Sequence, residues 1–444
     1  MSPTAPSQGA GAQAAVATRP PPAGAPATAA AATKSTPLPA AVATVPKPGE
    51  TPRRLRRLSM GMIFLCITFG VIGALSFATL ALSLYRAEAN TAQLIRVQNI
   101  QTNLLSADAT ATNAFLVGGL EPAKQRAAYD QAIASTGSLI AEAADAQPAD
   151  AAALAALNRV VVDYAATIEQ ARANNRQGFP VGAQYLRNAS ADLRADGLPV
   201  LDALVQSNAD RAAREMSSPA TFVFVGISLL TLAGLIATQV WVARRFRRRL
   251  NTGLGAATVV VLLTFVGGTL GLVSVSSTVR DVQRGSFADV NAAAEARIEA
   301  NNAKSNESLT LIARGSGSAF EKAWLTSATA VKASLANGGA RALSEQWSAY
   351  TAVHTSIRKL DDSGQWDAAV TKATGAGKDT ANSTFAAFDA SASRALENSS
   401  ARTANGLAAT QPALVIGAIA IFLAGLGAAL LSRWGLAQRL KEYR

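Results

Sequence analysis

The stretch at 243–250 reads Ala-Arg-Arg-Phe-Arg-Arg-Arg-Leu, and a long apolar run lies on each side of it. These runs cover 219–242 and 254–277, and a helix needs only about 20 residues to cross a bilayer. Arginine is retained on the cytoplasmic side of a membrane because carrying it across the apolar core is costly. The sequence therefore predicts a tight cytosolic hairpin, 244–253, between two transmembrane helices.

Two further apolar runs extend this pattern over the rest of the chain. They are also long enough to span a bilayer, and they leave two long, mixed-charge segments between the spans. We predict an all-α membrane protein in which two tandem extracytoplasmic four-helix bundles, like those of chemoreceptor ectodomains, alternate with four transmembrane helices. The predicted spans are 59–85, 219–243, 254–277 and 412–432, the bundles are 86–218 and 278–411, and the cytosolic terminus is 433–444.

The charge distribution gives this layout a direction. The 444 residues hold 41 Lys and Arg against 29 Asp and Glu, a net charge of +12. Segments 1–58, 244–253 and 433–444 together hold 16 basic and 2 acidic residues. The two bundle segments together hold 25 basic and 27 acidic residues. This positive-inside pattern predicts a multi-pass protein of the cell membrane with both termini in the cytoplasm. It argues against a nucleic-acid-binding protein, whose basic charge would cluster on a folded domain.

The first 58 residues form a segment of different composition. Residues 1–50 are mostly Ala, Pro, Thr and Gly, and such a segment cannot bury enough apolar surface to offset its chain entropy. We predict a disordered, basic cytosolic tail over 1–58.

The first predicted bundle starts with a heptad-type seam. Mainly apolar residues recur in steps of three and four from Leu94 to Phe115, which is typical of a helix in an antiparallel bundle. The first helix of each bundle ends at glycines, and the fourth helix of the first bundle is expected to kink at 197–199. The outer helices of each bundle are expected to continue into the spans without a break, which would let a change of packing move the spans.

Turns between the first and second helices, and between the third and fourth, are expected at the end of each bundle away from the membrane. We predict that these turns dock an external partner. The candidate docking residues are Gly118, Gly119, Arg176, Arg314, Gly315, Asp362 and Gly364.

Polar residues interrupt both predicted seams. Asp108 lies among apolar residues in the first, and Asn301, Ser305 and Ser308 lie on one stripe of the second. A buried carboxylate must be paired, hydrated or functional. Asp108 is interpreted either as a satisfied core or register-setting residue or as part of a ligand or switch site. The second seam is interpreted either as a weakly packed bundle or as a seam that shifts between two packings to carry a signal.

The sequence contains few of the cysteine and histidine residues that form disulfides, bind metals or act in catalysis. Cys66 and His354 are the only residues of their types, so we expect no disulfide within the chain, no metal or cofactor site and no enzymatic activity. The spans contain no acidic or basic residue in their interiors, which disfavours a transporter or pump. Gly267 and Gly271 form a small-xxx-small pair that predicts a helix–helix contact, and a homodimer is left open.

The arginine hairpin has two interpretations of its own. It sets the topology, and it can also bind anionic lipid or an acidic cytosolic partner. The candidate cytosolic docking residues are Arg244, Arg245, Arg247, Arg248 and Arg249.

Three stretches, at 107–119, 306–315 and 361–369, together with the four-span layout, resemble the actinobacterial GlnX family of membrane proteins. The resemblance covers about 55–435. It implies that the chain senses glutamate or aspartate status outside the cell through a solute-binding lipoprotein. It also implies a soluble cytosolic Ser/Thr kinase, protein kinase G, as the downstream partner. The alternative is a structural scaffold of a cell-envelope or secretion complex with rigid bundles.

Overall fold

A computed structural model of the chain describes residues 50–117, 121–217, 219–246, 251–337 and 341–441, and all regular elements among them are helical. The predicted all-α class is therefore confirmed for this part of the chain. Residues Pro52–Arg444 form one compact unit. The α-helices are α1 Glu50–Val117, α2 Ala123–Ala146, α3 Ala151–Arg176, α4 Val181–Asp192, α5 Leu198–Met216, α6 Ala220–Phe246, α7 Thr252–Arg284, α8 Ser286–Ile312, α9 Ser318–Asn337, α10 Arg341–Asp362, α11 Trp366–Thr374, α12 Ala381–Ala408 and α13 Gln411–Lys441.

Among the residues that the structure describes, five helical stretches are long and apolar enough to cross a membrane. Four of them contain the apolar runs predicted as spans, with a mean hydropathy of 2.2 to 2.6 in their most apolar windows. The fifth, Pro148–Arg176, has a value of 1.3 and was not predicted as a span. The chain is thus compatible with a membrane at more places than the sequence pattern indicated.

Helix α1 is 68 residues long, which corresponds to about 100 Å at roughly 1.5 Å per residue. Because it begins at Glu50, the prediction of a disordered tail up to residue 58 is wrong for its last nine residues. The remainder of that tail lies outside the described residues.

The apolar parts of α1, α6, α7 and α13 pack around one core that includes Phe69, Phe224, Val261 and Leu414. Glycines let the backbones approach most closely between α1 and α13, where Gly70 meets Gly425. Gly253 and Gly435 make a second close approach, and beside it the Asn251 side-chain amide donates to the Gly435 carbonyl at 2.9 Å.

The expected helix contact at Gly267 and Gly271 is not found within this chain. In the described part of the structure, no neighbouring helix comes within 4 Å of the position a Cβ atom would take at either glycine. Gly268 is the one that packs, against the ring of Phe224. A glycine of α7 does pack against a neighbouring helix, but it lies on a different face from the predicted pair.

Replacing Gly425 by valine should destabilise the packed apolar helices, because its side chain would overlap the Gly70 backbone. We expect a loss of about 1–3 kcal/mol, measured as a lower melting temperature of the full chain in mild detergent. Gly427→Val is the matched control, since a Cβ atom at Gly427 has open space around it. Equal melting temperatures for both variants would contradict the close approach.

The remaining helices form two units outside the apolar core. The first helical unit consists of the part of α1 after residue 86 together with α2–α5, packed around Leu104, Leu157 and Leu186. The second helical unit consists of α8–α12, packed around Trp347, Tyr350 and Phe388.

Helical continuity between these units and the apolar helices was predicted at all four junctions, and it is present at one. Helix α1 runs through without a break, whereas α5 and α6 are separated around Ser217, α7 and α8 at Gly285, and α12 and α13 at 409–410. Pro219 and Pro412 lie at the start of the helix that follows two of the breaks, where the missing N–H of proline cannot bond back to the preceding helix. Gly285 accounts for the third with φ −101° and ψ −102°.

The kink expected at 197–199 takes the form of a π-helical segment, Leu193–Gly197, inserted between α4 and α5. Such a wide turn relieves the clash of Pro199 with the preceding helix and rotates the side chains that follow. It places Arg194 at the surface where the two helical units meet.

The two helical units lie side by side. Leu116 of α1 belongs to the core of the second unit, and Ile312 of α8 packs against the core of the first. Consequently α8 is buried on almost all sides from residue 300 to residue 311. The interpretation of the second seam as weakly packed is wrong, because α8 has a second partner that sequence periodicity does not reveal.

Candidate functional site

The predicted switch residue Asp108 is fully buried at the contact between the two helical units. One of its carboxylate oxygens accepts hydrogen bonds from the hydroxyls of Ser190 at 2.5 Å and Tyr164 at 3.3 Å. The other accepts from Arg194 at 2.9 Å and from the hydroxyl of Ser305, on α8, at 2.6 Å. The carboxylate is therefore paired with a cation and fully hydrogen-bonded.

Arg194 closes this site from the π-helical segment. Its guanidinium donates to the Ser190 carbonyl at 2.9 Å and to the Ser305 hydroxyl at 3.0 Å, besides pairing with Asp108. About a quarter of its side chain (26%) stays exposed, so the buried charge is reachable from solvent through Arg194. The Asp108–Arg194 ion pair joins α1 to the π-helical segment, and the hydrogen bonds of Ser305 to both residues add α8.

Tyr164 acts as a neutral donor in this cluster. Burial, and then the negative charge of Asp108, raise the pKa of Tyr164 well above its usual value. The phenol therefore keeps its proton over the physiological range and holds the carboxylate on its first-unit side.

The other two residues of the predicted switch do not reach Asp108. Asn301 and Ser308 are buried, but their side chains donate within α8, to the carbonyls of Arg297 at 2.9 Å and Lys304 at 3.4 Å. Of the three polar residues on the predicted seam, Ser305 is the one that bonds across to Asp108.

Further polar contacts connect the two units along α1. The Gln98 side-chain amide donates to Asn291 at 3.3 Å, and the Asn382 amide donates to Asn113 at 2.9 Å. These neutral hydrogen bonds lie on either side of the Asp108 ion pair in sequence. Buried polar contacts of this kind favour one arrangement of the two units, because breaking them would leave donors and acceptors without partners.

A second buried polar cluster, which we call the Glu307 cluster, lies inside the second helical unit and was not predicted. Glu307 is paired with Lys304 at 2.7 Å and accepts from Tyr350 at 3.2 Å. It also bonds the ring of His354 at 3.0 Å, whose other nitrogen lies 3.3 Å from Glu321. The three-residue spacing of Lys304 and Glu307 was a usable signal, since it places both on one helix face.

The charges of this cluster stabilise one another. Burial opposes ionisation of Glu307, but Lys304 and His354 outweigh it and lower the pKa of Glu307 to about 2. Burial also disfavours the charged ring of His354, but hydrogen bonds to Glu307 and Glu321 outweigh it and raise its pKa. The ring is further held by stacking on Trp324 at 3.5 Å.

The predicted docking residues that the structure describes lie in turns and at helix ends. Arg314 has a left-handed backbone (φ 41°), and its guanidinium stacks 4.0 Å above the ring of Trp366. Gly315 and Gly364 have φ values of 85° and 80°, which favour glycine. Asp362 pairs with Arg358 at 2.6 Å, and Arg176 is exposed at the end of α3. Gly118 and Gly119 lie outside the described residues.

Of the predicted cytosolic docking residues, Arg244 and Arg245 form the exposed last turn of α6. Arg247, Arg248 and Arg249 lie outside the described residues. Within the described ranges, no group of three or more His, Cys, Asp or Glu side chains is placed to hold a metal ion.

The first helical unit corresponds to a known kind of domain. Residues 83–217 match the family model of an actinobacterial sensor domain, a non-enzymatic signalling type. No curated protein and no solved structure matches the chain. The match of this domain supports a sensing or signalling role, and the apolar helices are compatible with a membrane protein.

Proposed function

We propose that the chain is a membrane sensor-transducer that relays glutamate or aspartate status from outside the cell to a cytosolic Ser/Thr kinase. The signal arrives through a solute-binding lipoprotein that docks on the two helical units. Support comes from the sensor-domain match over 83–217 and from the resemblance to the GlnX family.

In this proposal four helices span the membrane, both helical units face outward and both termini are cytoplasmic. The stretch Pro148–Arg176 then stays in the first unit. Its apolar face, with Leu154, Leu157 and Val161, packs into that unit's core. Its exposed face carries Arg159 and Asp163, which would be costly in lipid.

The continuity of α1 carries the proposal. This helix extends without a break from the apolar core to Asp108, where it is bonded to both the π-helical segment and α8. A change in the packing of one unit on the other therefore moves the same rigid helix that crosses the membrane. The breaks at the other three junctions decouple those helices from their spans.

The docking surface is proposed at the end of the units where α1 and α3 terminate. Besides Arg176 and Arg314, the turn after α3 exposes Phe179 and Val181, and about half of each side chain is accessible. Apolar side chains next to arginines in a turn are typical of a protein-binding surface. The charge-reversed variant Arg314→Glu should weaken lipoprotein binding.

Interrupting α1 tests the relay. Two glycines inserted after Arg86 should abolish the effect of external glutamate on phosphorylation of the kinase's substrates, because they break the helix between the span and Asp108. The same insertion after Ser217, where the helix is already interrupted, is the matched control and should preserve the response. Membrane abundance and melting temperature of each variant verify folding.

Two outcomes would contradict the proposal. A glutamate response that survives deletion of the whole chain removes the sensing role. A response that survives the insertion after Arg86 removes the role of α1.

The alternative function, a rigid scaffold of an envelope complex, is favoured by one observation. The buried charges between and within the units are paired, as a static assembly requires. A scaffold predicts no dependence of phosphorylation on the chain, and loss of its envelope complex on deletion.

A further inference from the structure

A cavity of about 240 Å³ opens in the first helical unit between the ends of α1, α2, α3 and the start of α4. Its inner wall is apolar, and three of the wall residues are alanines where larger side chains would fill the space. The wall consists of Ala111, Ala114, Phe115, Ile168, Ala171 and Leu186. Water molecules find few hydrogen-bond partners on such a wall, so it is suited to the hydrocarbon part of a ligand.

The rim of this cavity is basic. Arg126, Arg172 and Arg176 line it together with Glu121 and Asn175. Two of these arginines are neutralised within the unit: Arg172 pairs with Glu121 at 2.9 Å and Glu169 at 2.7 Å, and Arg126 pairs with Asp130 and Glu169.

Arg176 differs from the other two arginines of the rim. Within the described residues it forms no ion pair, and its side chain is exposed at the end of α3 beside Asn175. Arg172, by contrast, is also held in place by stacking 4.0 Å above the ring of Tyr129. Among the described residues, the rim therefore offers one uncompensated guanidinium and one neighbouring side-chain amide, on a framework fixed by ion pairs.

We propose that this cavity binds a small organic carboxylate with an apolar body, whose carboxylate pairs with Arg176. A planar guanidinium matches a carboxylate through two parallel hydrogen bonds, and a single free cation balances a single negative charge. The apolar wall selects against fully polar anions, because they would lose hydration without gaining partners. This goes beyond the proposed relay, in which the amino-acid signal reaches the chain through another protein.

Binding of hexanoate tests the site, with the full chain in lipid nanodiscs, equilibrium dialysis of the labelled probe and empty nanodiscs to subtract partition into lipid. We expect saturable binding of hexanoate and at least tenfold weaker binding of hexan-1-ol. Arg176→Gln should weaken hexanoate binding at least tenfold. Arg159→Gln, an exposed arginine on the same helix outside the cavity, should leave it unchanged.

A second variant probes the apolar wall independently. Ala114→Leu should fill the cavity and abolish binding of both probes, and its melting temperature shows whether the unit still folds. Hexanoate that fails to saturate the chain, or that binds no better than hexan-1-ol, would overturn the proposal. So would equal losses in the Arg176 and Arg159 variants. Neither the lipoprotein nor the kinase is present, so this test can fail while the proposed relay stands.

Discussion

Asp108→Ala should lower the stability of the full chain by about 3 kcal/mol, because it leaves the Arg194 guanidinium without its anion. Removing one partner of a buried pair costs about 3–5 kcal/mol, and the partial exposure of Arg194 places this case at the lower end. For a unit of this size the loss corresponds to a melting temperature lower by roughly 6–12 °C, measured on the purified chain in mild detergent.

A double-mutant cycle separates the ion pair from simple loss of packing. Asp108→Ala combined with Arg194→Met removes both charges, so it should lose less stability than the sum of the two single variants. Asp163→Ala, an exposed carboxylate on α3, serves as the control and should change the melting temperature little. Additive losses in the double variant would show that the pair at 2.9 Å contributes nothing specific.

Most of the helix order was predictable from the sequence, because it depends on local signals. Glycine and proline punctuation set the ends of α2 and α3, and hydrophobic periodicity identified the buried face of α1 from Leu94 onward. Three expected helix continuities failed at positions whose breakers, Pro219, Gly285 and Pro412, are visible in the sequence.

The side-by-side packing of the two units was not predictable in the same way. A heptad seam indicates one buried face, whereas α1 and α8 are buried on two sides, and a single sequence carries no pairing information between residues as distant as 108 and 305. Asp108 and Ser305 were both singled out as anomalies in their seams. Their common cause, a hydrogen bond to each other, required the fold.

The largest effect is expected in the Glu307 cluster, where Glu307→Gln should cost about 4–5 kcal/mol. Both charges of the Lys304 pair are buried there, with side-chain exposures of 4% and 1%, so the ammonium left behind has little access to water. His354 would also lose the hydrogen bond and charge that raise its pKa. Glu295→Gln, an exposed site on the same helix, is the control.

The dependence of melting temperature on pH distinguishes this electrostatic loss from a packing defect. The folded-state pKa of Glu307, about 2, lies below its usual value of 4.5, so its contribution is fully present above about pH 4.5 and is lost as the pH falls from there towards 2. The raised pKa of His354 acts in the opposite sense: its contribution is full below about 6.5 and is lost as the pH rises through the folded-state value.

Glu307→Gln should therefore reduce the change of melting temperature with pH on both the acid and the alkaline side. It removes the titration of Glu307 and one of the two partners that stabilise the charged ring of His354. His354→Gln should flatten the alkaline limb and leave the acid limb, which Lys304 still supports through its 2.7 Å pair with Glu307. If the profile of Glu307→Gln ran parallel to that of the unchanged protein, displaced to lower temperature, the cluster would be stabilising through shape and not through charge.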